Sequence, residues 1–355
     1  MEAPELPYRP REPARRDHGI GIVGCGAISA SHLRAYRAAG YRVVALANPT
    51  VAKAEARRAE FFPDAAVHRE HRALLDDPRV EVVDVATHPD VRVPIVRDAL
   101  EAGKHVLSQK PFVTDLDAGE ALCALAEERR VRLAVNQNGR WAPHFAWMRA
   151  AVAAGLVGAL RRVEMRVEWD HSWVAGTKFD ETRHLILFDF GVHWFDMLTV
   201  LFGERAALEV RATERRAGGQ RTRQPLRAEA HVGLEGGSAR LAFDGAASRD
   251  PLDRTVVEGE LGSLVSEGPS LQEQSVSLHT AAGAARPVLQ GRWFDDGFRG
   301  TMAELLCAIE EDREPFHGAR ANLRSLALAF AACASAGEGG APKTPGEVRS
   351  VGGQR

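Results

Sequence analysis

The sequence predicts an α/β protein in which a doubly wound parallel sheet is followed by a second α/β domain with a mostly antiparallel, open sheet. Three observations predict this. The chain has 355 residues, enough for two domains with sizeable cores. In its first third, short apolar runs alternate with helical stretches, the rhythm of βαβ units. From Ala207 to about Leu289, strand follows strand with Gly-rich turns and no crossover rhythm.

In chain order, Ile20, Ile22 and Val23 form a short apolar run beside glycines, as in a buried parallel strand. Gly24, Gly26 and Ser29 then stand where a G-x-G-x-x-G/A turn places its small residues. The first allows a sharp turn, the second leaves room for a pyrophosphate near the backbone, and the third lets the next helix pack. The helix Ala27–Ala39 would aim its N-terminal amides and dipole at those phosphates. Strand, turn and helix in this order point to a Rossmann dinucleotide-binding domain.

Tyr41–Ala47 reads as the second strand, ending at Asn48 where an NAD site usually has Asp or Glu. An amide still bonds a ribose hydroxyl and does not repel a 2′-phosphate, so NAD and NADP both stay open, with NAD favoured because no arginine follows directly. Lys53, Arg57 and Arg58 read as a solvated helix face. Val80–Thr87 is a buried strand broken by His88 and Pro89. Pro94–Ala102 reads as a helix stopped by Gly103. Lys104–Ser108 is a strand running into Gln109, Lys110 and Pro111. Asp115 caps a helix through Arg129, and Val131–Asn136 is a further strand. Such a sheet places its ligand crevice at the strand C-termini, where Lys110 lies.

Beyond Asn136 the composition changes. Ala142–Ala154 reads as a helix, Leu160–Trp169 as a strand with one wet face, and Trp169–Lys178 as a polar, aromatic loop. Leu185–Leu201 has helical period, and Asp189 and His193, four apart, are expected on one face. Ala228–Leu234, Ala239–Asp244, Thr255–Gly259 and Ser263–Ser266 are strands. Gly300–Glu311 and Ala319–Ala336 close the chain as helices.

The formal net charge of −2 and scattered arginines argue against nucleic-acid or anionic-membrane partners. No apolar run approaches a membrane span. The first 18 residues lack the apolar region of a secretory signal. Cys25, Cys123, Cys307 and Cys333 form no CxxC pair, which fits a reducing cytoplasm. His171, His184 and His193 match no metal-binding spacing, so no metal is expected.

The glycine turn, LSQKP at Leu107–Pro111, NQNGRW at Asn136–Trp141 and DFGVHWFD at Asp189–Asp196, in that order, resemble the glucose–fructose oxidoreductase / inositol dehydrogenase / MocA family across nearly all of residues 19–336. The resemblance implies a Rossmann domain at 19–138 and a substrate-binding and oligomerisation α/β domain at 139–336; by composition the Pro-, Arg- and Glu-rich 1–18 reads as a flexible or loosely docked tail and the Gly- and Pro-rich 337–355 as a second tail. It implies hydride transfer between a sugar, cyclitol or related polyol hydroxyl and NAD or NADP, in a homodimer or homotetramer joined through the C-terminal sheet. Lys110, Asp189 and His193 match the family's catalytic positions. Gly24, Gly26, Ala27, Ile28, Asn48, Thr87, Gln109, Lys110 and Asn138 fall at cofactor-binding positions. Lys110, Arg140, Trp141, His171, Trp173, Asp189 and His193 are the candidate substrate contacts, with Trp169, His144 and His184 behind them. Two positions depart from the pattern: Gln109 replaces Glu before the lysine, and Arg92 stands where His is common.

His193 is the candidate proton acceptor, since imidazole titrates near neutrality. Lys110 would bond the same oxygen and stabilise its developing charge. Asp189 would pair with Lys110 or hold the substrate. Two other readings fit the same residues: a redox-neutral sugar-modifying enzyme that recycles bound NAD through a keto intermediate, and a non-catalytic cofactor or sugar sensor.

Overall fold

The computed structural model describes residues 1–351; the end of the expected C-terminal tail, 352–355, lies outside the described residues. The chain divides into two compact units. The first comprises Arg9–Trp141 and Phe294–Leu323, and the second Met1–Tyr8, Ala142–Trp293 and the chain from Arg324 onward.

The first unit is built on a six-stranded, wholly parallel sheet: β1 (Gly19–Val23), β2 (Arg42–Ala47), β3 (Ala66–His68), β4 (Val82–Val85), β5 (His105–Ser108) and β6 (Leu133–Val135). The strand order β3-β2-β1-β4-β5-β6 is that of a dinucleotide-binding Rossmann sheet, with its switch point between β1 and β4. Helices α1 (Ser29–Ala39), α2 (Val51–Phe61), α3 (His71–Leu75), α4 (Pro89–Glu101) and α5 (Leu116–Arg129) make the crossovers. Ile20, Ile22, Leu33, Tyr36, Leu46, Val82 and Leu107 are fully buried in the core between α1 and the sheet. The Asp115 side chain accepts from Ala118 N–H, capping α5 as expected.

Three local differences have physical reasons. Strand β3 has three residues, too short to carry a periodic pattern. Helix α4 starts at Pro89 rather than Pro94, because a proline in the first turn gives up an N–H that has no helical partner anyway. The expected tail is docked from Arg9 on: Ala14 and Arg15 amides donate to Glu310, and His18, almost fully buried, lies between Glu81 and Glu310.

A helix from late in the chain, Trp293–Glu310, begins seven residues before the expected Gly300. A Cβ at Gly300 would lie 2.3 Å from the Trp141 ring, so this glycine lets helix and indole approach closely. Phe294–Leu323 therefore clusters with the first unit, not with the domain that precedes it in sequence.

The second unit has an eight-stranded sheet: β7 (Leu160–Glu168), β8 (Ala207–Arg215), β9 (Arg227–Leu234), β10 (Gly237–Asp244), β11 (Leu252–Gly259), β12 (Gly262–Ser270), β13 (Glu273–Thr280) and β14 (Gly283–Ala285). Its order is β14-β13-β12-β11-β7-β10-β9-β8, antiparallel throughout except for the parallel β7–β10 pair. Alternation sets its faces. Val163, Met165 and Val167 of β7 are buried, while Arg162, Glu164 and Arg166 lie on the wetter face. Helices α6 (Pro143–Ala153) and α7 (Val192–Phe202) belong to this unit. The Trp293–Glu310 helix is α8, and α9 (Ala319–Gly337) closes the chain. Beyond α9, Lys343 exchanges two backbone hydrogen bonds with Val210 of β8. No helix among the described residues is long and apolar enough to cross a membrane.

Candidate active site

In the first unit the expected cofactor residues lie on the loops that leave the strand C-termini. The Gly24 amide donates to Ala47 O (2.9 Å), tying the glycine turn to the end of β2. A side chain at Gly24 would strike Thr87, which places Thr87 beside the turn. Around Gly26 nothing lies within 4 Å of where a Cβ would project. Ser29, fully buried, donates its hydroxyl to Gly26 O (2.7 Å), so the third small position packs as expected. Ala27 and Ile28 lead into α1, whose first turn has neither a side-chain cap nor an acidic residue. That leaves its end amides for an anion. An open Gly26 and an uncapped helix start fit a dinucleotide pyrophosphate.

Asn48 does more than the sequence suggested. Its Oδ1 accepts from Cys25 N–H (3.0 Å) and its Nδ2 donates to Thr50 O (3.0 Å). The amide braces the glycine turn. Arg57, read as part of a solvated face, reaches back from α2 to Gly26 O (3.3 Å). Cys25 is buried, and burial pushes its thiol up to about 11, far from a reactive thiolate.

Gln109 and Lys110 follow β5 at the same edge of the sheet. Gln109 is buried and Lys110 partly exposed, and the Lys110–Pro111 peptide is cis. Arg92, almost fully buried, donates to Thr87 O and to Pro111 O, and so clamps the loop after β4 to the lysine turn. Asn138, Arg140 and Trp141 lie on a short 3₁₀ turn after β6. All three are buried. Arg140 donates to Phe316 O and stacks over the Phe316 ring, and Trp141 meets His317 edge-on at 5.0 Å. These contacts pack Trp141 against Phe316 and His317 within the first unit.

In the second unit, Asp189 and His193 occupy the N-terminal approach of α7, both partly exposed. The expected single helix is not continuous. Ile186–Phe190 forms a π turn, closed by Gly191 N–H donating to Ile186 O (2.6 Å), and α7 restarts at Val192. Asp189 therefore lies in the wide turn and His193 in the helix beyond it, where the sequence suggests one regular helix. A Cβ at Gly191 would lie 2.8 Å from Ile186 O, so glycine is what lets the turn close.

The aromatic loop converges on this turn. Trp169 packs on Phe190 at 3.9 Å, His171 lies 5.2 Å from Phe190 and 5.0 Å from Trp173, and Phe190 lies 4.5 Å from Trp194. Trp173 is 58% exposed, unlike the almost buried His171. His193 and His144 both pack against Trp293, at 5.7 and 5.9 Å. Burial alone holds His144 down to about 3, so it stays neutral and is a core ring. His184, with φ of 54°, is taken up by Glu214 on β8 (2.5 Å). The groups sequence reasoning missed are buried: Arg92 as a clamp, and His32, Tyr36, Asp84 and Asn136 beneath the lysine turn. An aspartate inside the apolar run VVDV was the signal for the last set.

The family profile described as "Oxidoreductase family, NAD-binding Rossmann fold" matches residues 18–137, and that of the GFO/IDH/MocA C-terminal domain matches 145–265. An uncharacterized oxidoreductase of Escherichia coli, YdgJ, is 29% identical over 225 residues, which span 60% of this chain and 61% of that protein. A D-apiose dehydrogenase of Paraburkholderia graminis is 28% identical over 336 residues, 90% of this chain and 87% of that one. A crystal structure of an oxidoreductase from Agrobacterium radiobacter, solved with NAD+, L-tartaric acid and magnesium, has the same fold. It superposes with a TM-score of 0.83 at 17% identity, covering 93% of this chain and 99% of that one. By its glycine turn, its parallel and open sheets and both family profiles, this chain belongs to the Gfo/Idh/MocA oxidoreductase family.

Proposed function

We propose that this protein oxidises a secondary hydroxyl of a sugar, cyclitol or related polyol with NAD or NADP, using Lys110, Asp189 and His193. The observation that carries the reading is the placement of Lys110 directly after β5, at the sheet edge that also bears the open glycine turn. When bound, the nicotinamide supplies the hydride acceptor. Gly24, Gly26, Ala27 and Ile28 take the pyrophosphate on the amides of α1, with Thr87, Gln109 and Asn138 on the neighbouring loops. His193 removes the hydroxyl proton. Lys110 donates to the same oxygen as charge builds on it. Asp189 holds a neighbouring hydroxyl or pairs with Lys110, and His171 and Trp173 flank the substrate from their loop.

The similarity to a D-apiose dehydrogenase over nine-tenths of the chain supports a carbohydrate substrate. The wet face of the eight-stranded sheet alternates charges of both signs, among them Arg162, Glu164, Arg240 and Glu229. A second copy of that face would complement it, which supports a homodimer or homotetramer. Four buried free cysteines support a reducing cytoplasm. The test is a spectrophotometric screen of sugars and polyols with NAD+ and NADP+. Net accumulation of reduced nicotinamide under steady turnover is expected. Turnover without net reduction contradicts the reading.

A further inference from the structure

Four buried polar groups of the first unit stand outside the roles assigned to its site. His32, Tyr36, Asp84 and Asn136 are all 0% exposed, and through His32 they connect to Gln109 in the lysine turn. The Lys110 backbone N–H donates to Gln109 Oε1 (2.7 Å). Gln109 Nε2 lies 3.0 Å from His32 Nε2, and Asn136 Nδ2 lies 3.2 Å from the same nitrogen. His32 Nδ1 lies 2.7 Å from Asp84 Oδ2, which also accepts from Tyr36 OH (2.6 Å).

One donor fixes every proton along this chain. A peptide N–H can only donate, so Gln109 turns its oxygen to Lys110 and its NH2 to His32. An amide NH2 can only donate, so His32 Nε2 is bare and accepts. The proton of the neutral ring is therefore on Nδ1, directed at Asp84. Burial and the neighbouring Asp84 hold the Tyr36 phenol well above its ordinary value, so it too remains a donor.

We propose that His32 and Gln109 are positioning residues, and that the chain Asp84–His32–Gln109 fixes the peptide from which the Lys110 side chain springs. The proposal rests on the reading of Lys110 as the group that binds the substrate oxygen. Packing alone does not account for these residue types, because burying polar side chains in a parallel sheet costs free energy that apolar ones would not. What the chain adds is direction. His32 is the fourth residue of α1, so the helix that begins at the glycine turn and the turn that carries the lysine are joined through one imidazole.

Three variants of the full-length protein test this. They are assayed with NAD+ and with D-apiose, myo-inositol and D-glucose as probe substrates. Gln109→Leu removes the acceptor for Lys110 N–H. It is expected to lower kcat about 10- to 100-fold, a larger change than any it makes in NAD+ affinity by calorimetry, in protein that still unfolds in a cooperative melting transition. Gln109→Glu keeps that acceptor but turns a carboxylate oxygen to the bare His32 Nε2, so the chain closes only when the carboxyl–imidazole pair holds one extra proton between them. Its kcat should match the parent at low pH and fall as the pair loses that proton, a basic limb absent from the parent. Lys110→Ala separates the two claims: an active Lys110→Ala overturns the reading of the lysine itself. An inactive Lys110→Ala beside Gln109 variants with parental kcat and pH profile overturns the positioning proposal alone. Nitrogen-15 NMR of the histidine rings decides without any substrate. A neutral His32 protonated at Nδ1 in the parent is expected, and a proton on Nε2 overturns the proposal.

Discussion

Asn48 illustrates how one side chain is shared between fold and ligand. Its oxygen holds the Cys25 amide and its nitrogen holds Thr50 O, so a carboxylate at this position keeps the first bond and adds a charge at the end of β2. Asn48→Asp is expected to raise the NAD+ over NADP+ preference by repelling the 2′-phosphate, read as the ratio of kcat/KM values. An unchanged ratio would show that position 48 is remote from the ribose. Asp253 makes a prediction about stability. It is buried on the inner side of β11, and burial pushes its carboxyl from the ordinary 3.8 to about 7. The folded state then holds this proton more tightly than the unfolded chain, so stability falls as pH rises from about 4 to about 7 and levels off above. Asp253→Asn removes that dependence. Relative to the parent it should gain about 3 kcal/mol of stability in going from pH 5 to pH 8. Urea unfolding at the two pH values measures it, and a parallel pH dependence in parent and variant would contradict the assignment. Asp253 was not legible from residue types alone, because burial of a polar group becomes visible only once the sheet register is known, and of the His32 chain only Asp84, inside the apolar run VVDV, left a signal.

At the scale of elements, the π turn before α7 is where chemistry and backbone meet. Gly191→Ala places a Cβ 2.8 Å from Ile186 O and 2.9 Å from Leu187 O, both backbone atoms that cannot step aside. It should cost about 1–3 kcal/mol and lower turnover, because the turn carries Asp189 and sets the start of the helix that carries His193. A variant with parental urea midpoint and turnover would contradict this. The parallel sheet was readable because its strands other than β3 are apolar runs set between turn and helix signals such as Gly24, Gly103 and the Asp115 cap. The π turn was not, since LILFDFGVHWFD keeps a helical apolar pattern through the interruption. Strand β3 was invisible at three residues, and the start of α8 was hidden behind Gly297 and Gly300, whose missing side chains make room for Asn138 and Trp141.

For the molecule as a whole, the proposed chemistry is divided between two compact units: the dinucleotide turn and Lys110 on the first, Asp189 and His193 on the second. The ordered motifs name the candidate groups in sequence, whereas their burial became visible only in the fold, where Trp141 and His184 are buried and Trp173 is exposed. Gly26→Val should abolish dinucleotide binding by calorimetry with the fold intact, because the space it fills is the space left for the pyrophosphate. The central claim is that Lys110 and His193 act on one substrate oxygen. The most direct measurement is turnover of the single Lys110→Ala and His193→Ala variants and of their double variant, each checked for melting temperature and NAD+ affinity. Folded, NAD+-binding proteins that have each lost turnover are expected, with a double variant hardly worse than either single one. Substantial turnover in the folded His193→Ala protein, or losses that simply multiply in the double variant, would contradict it.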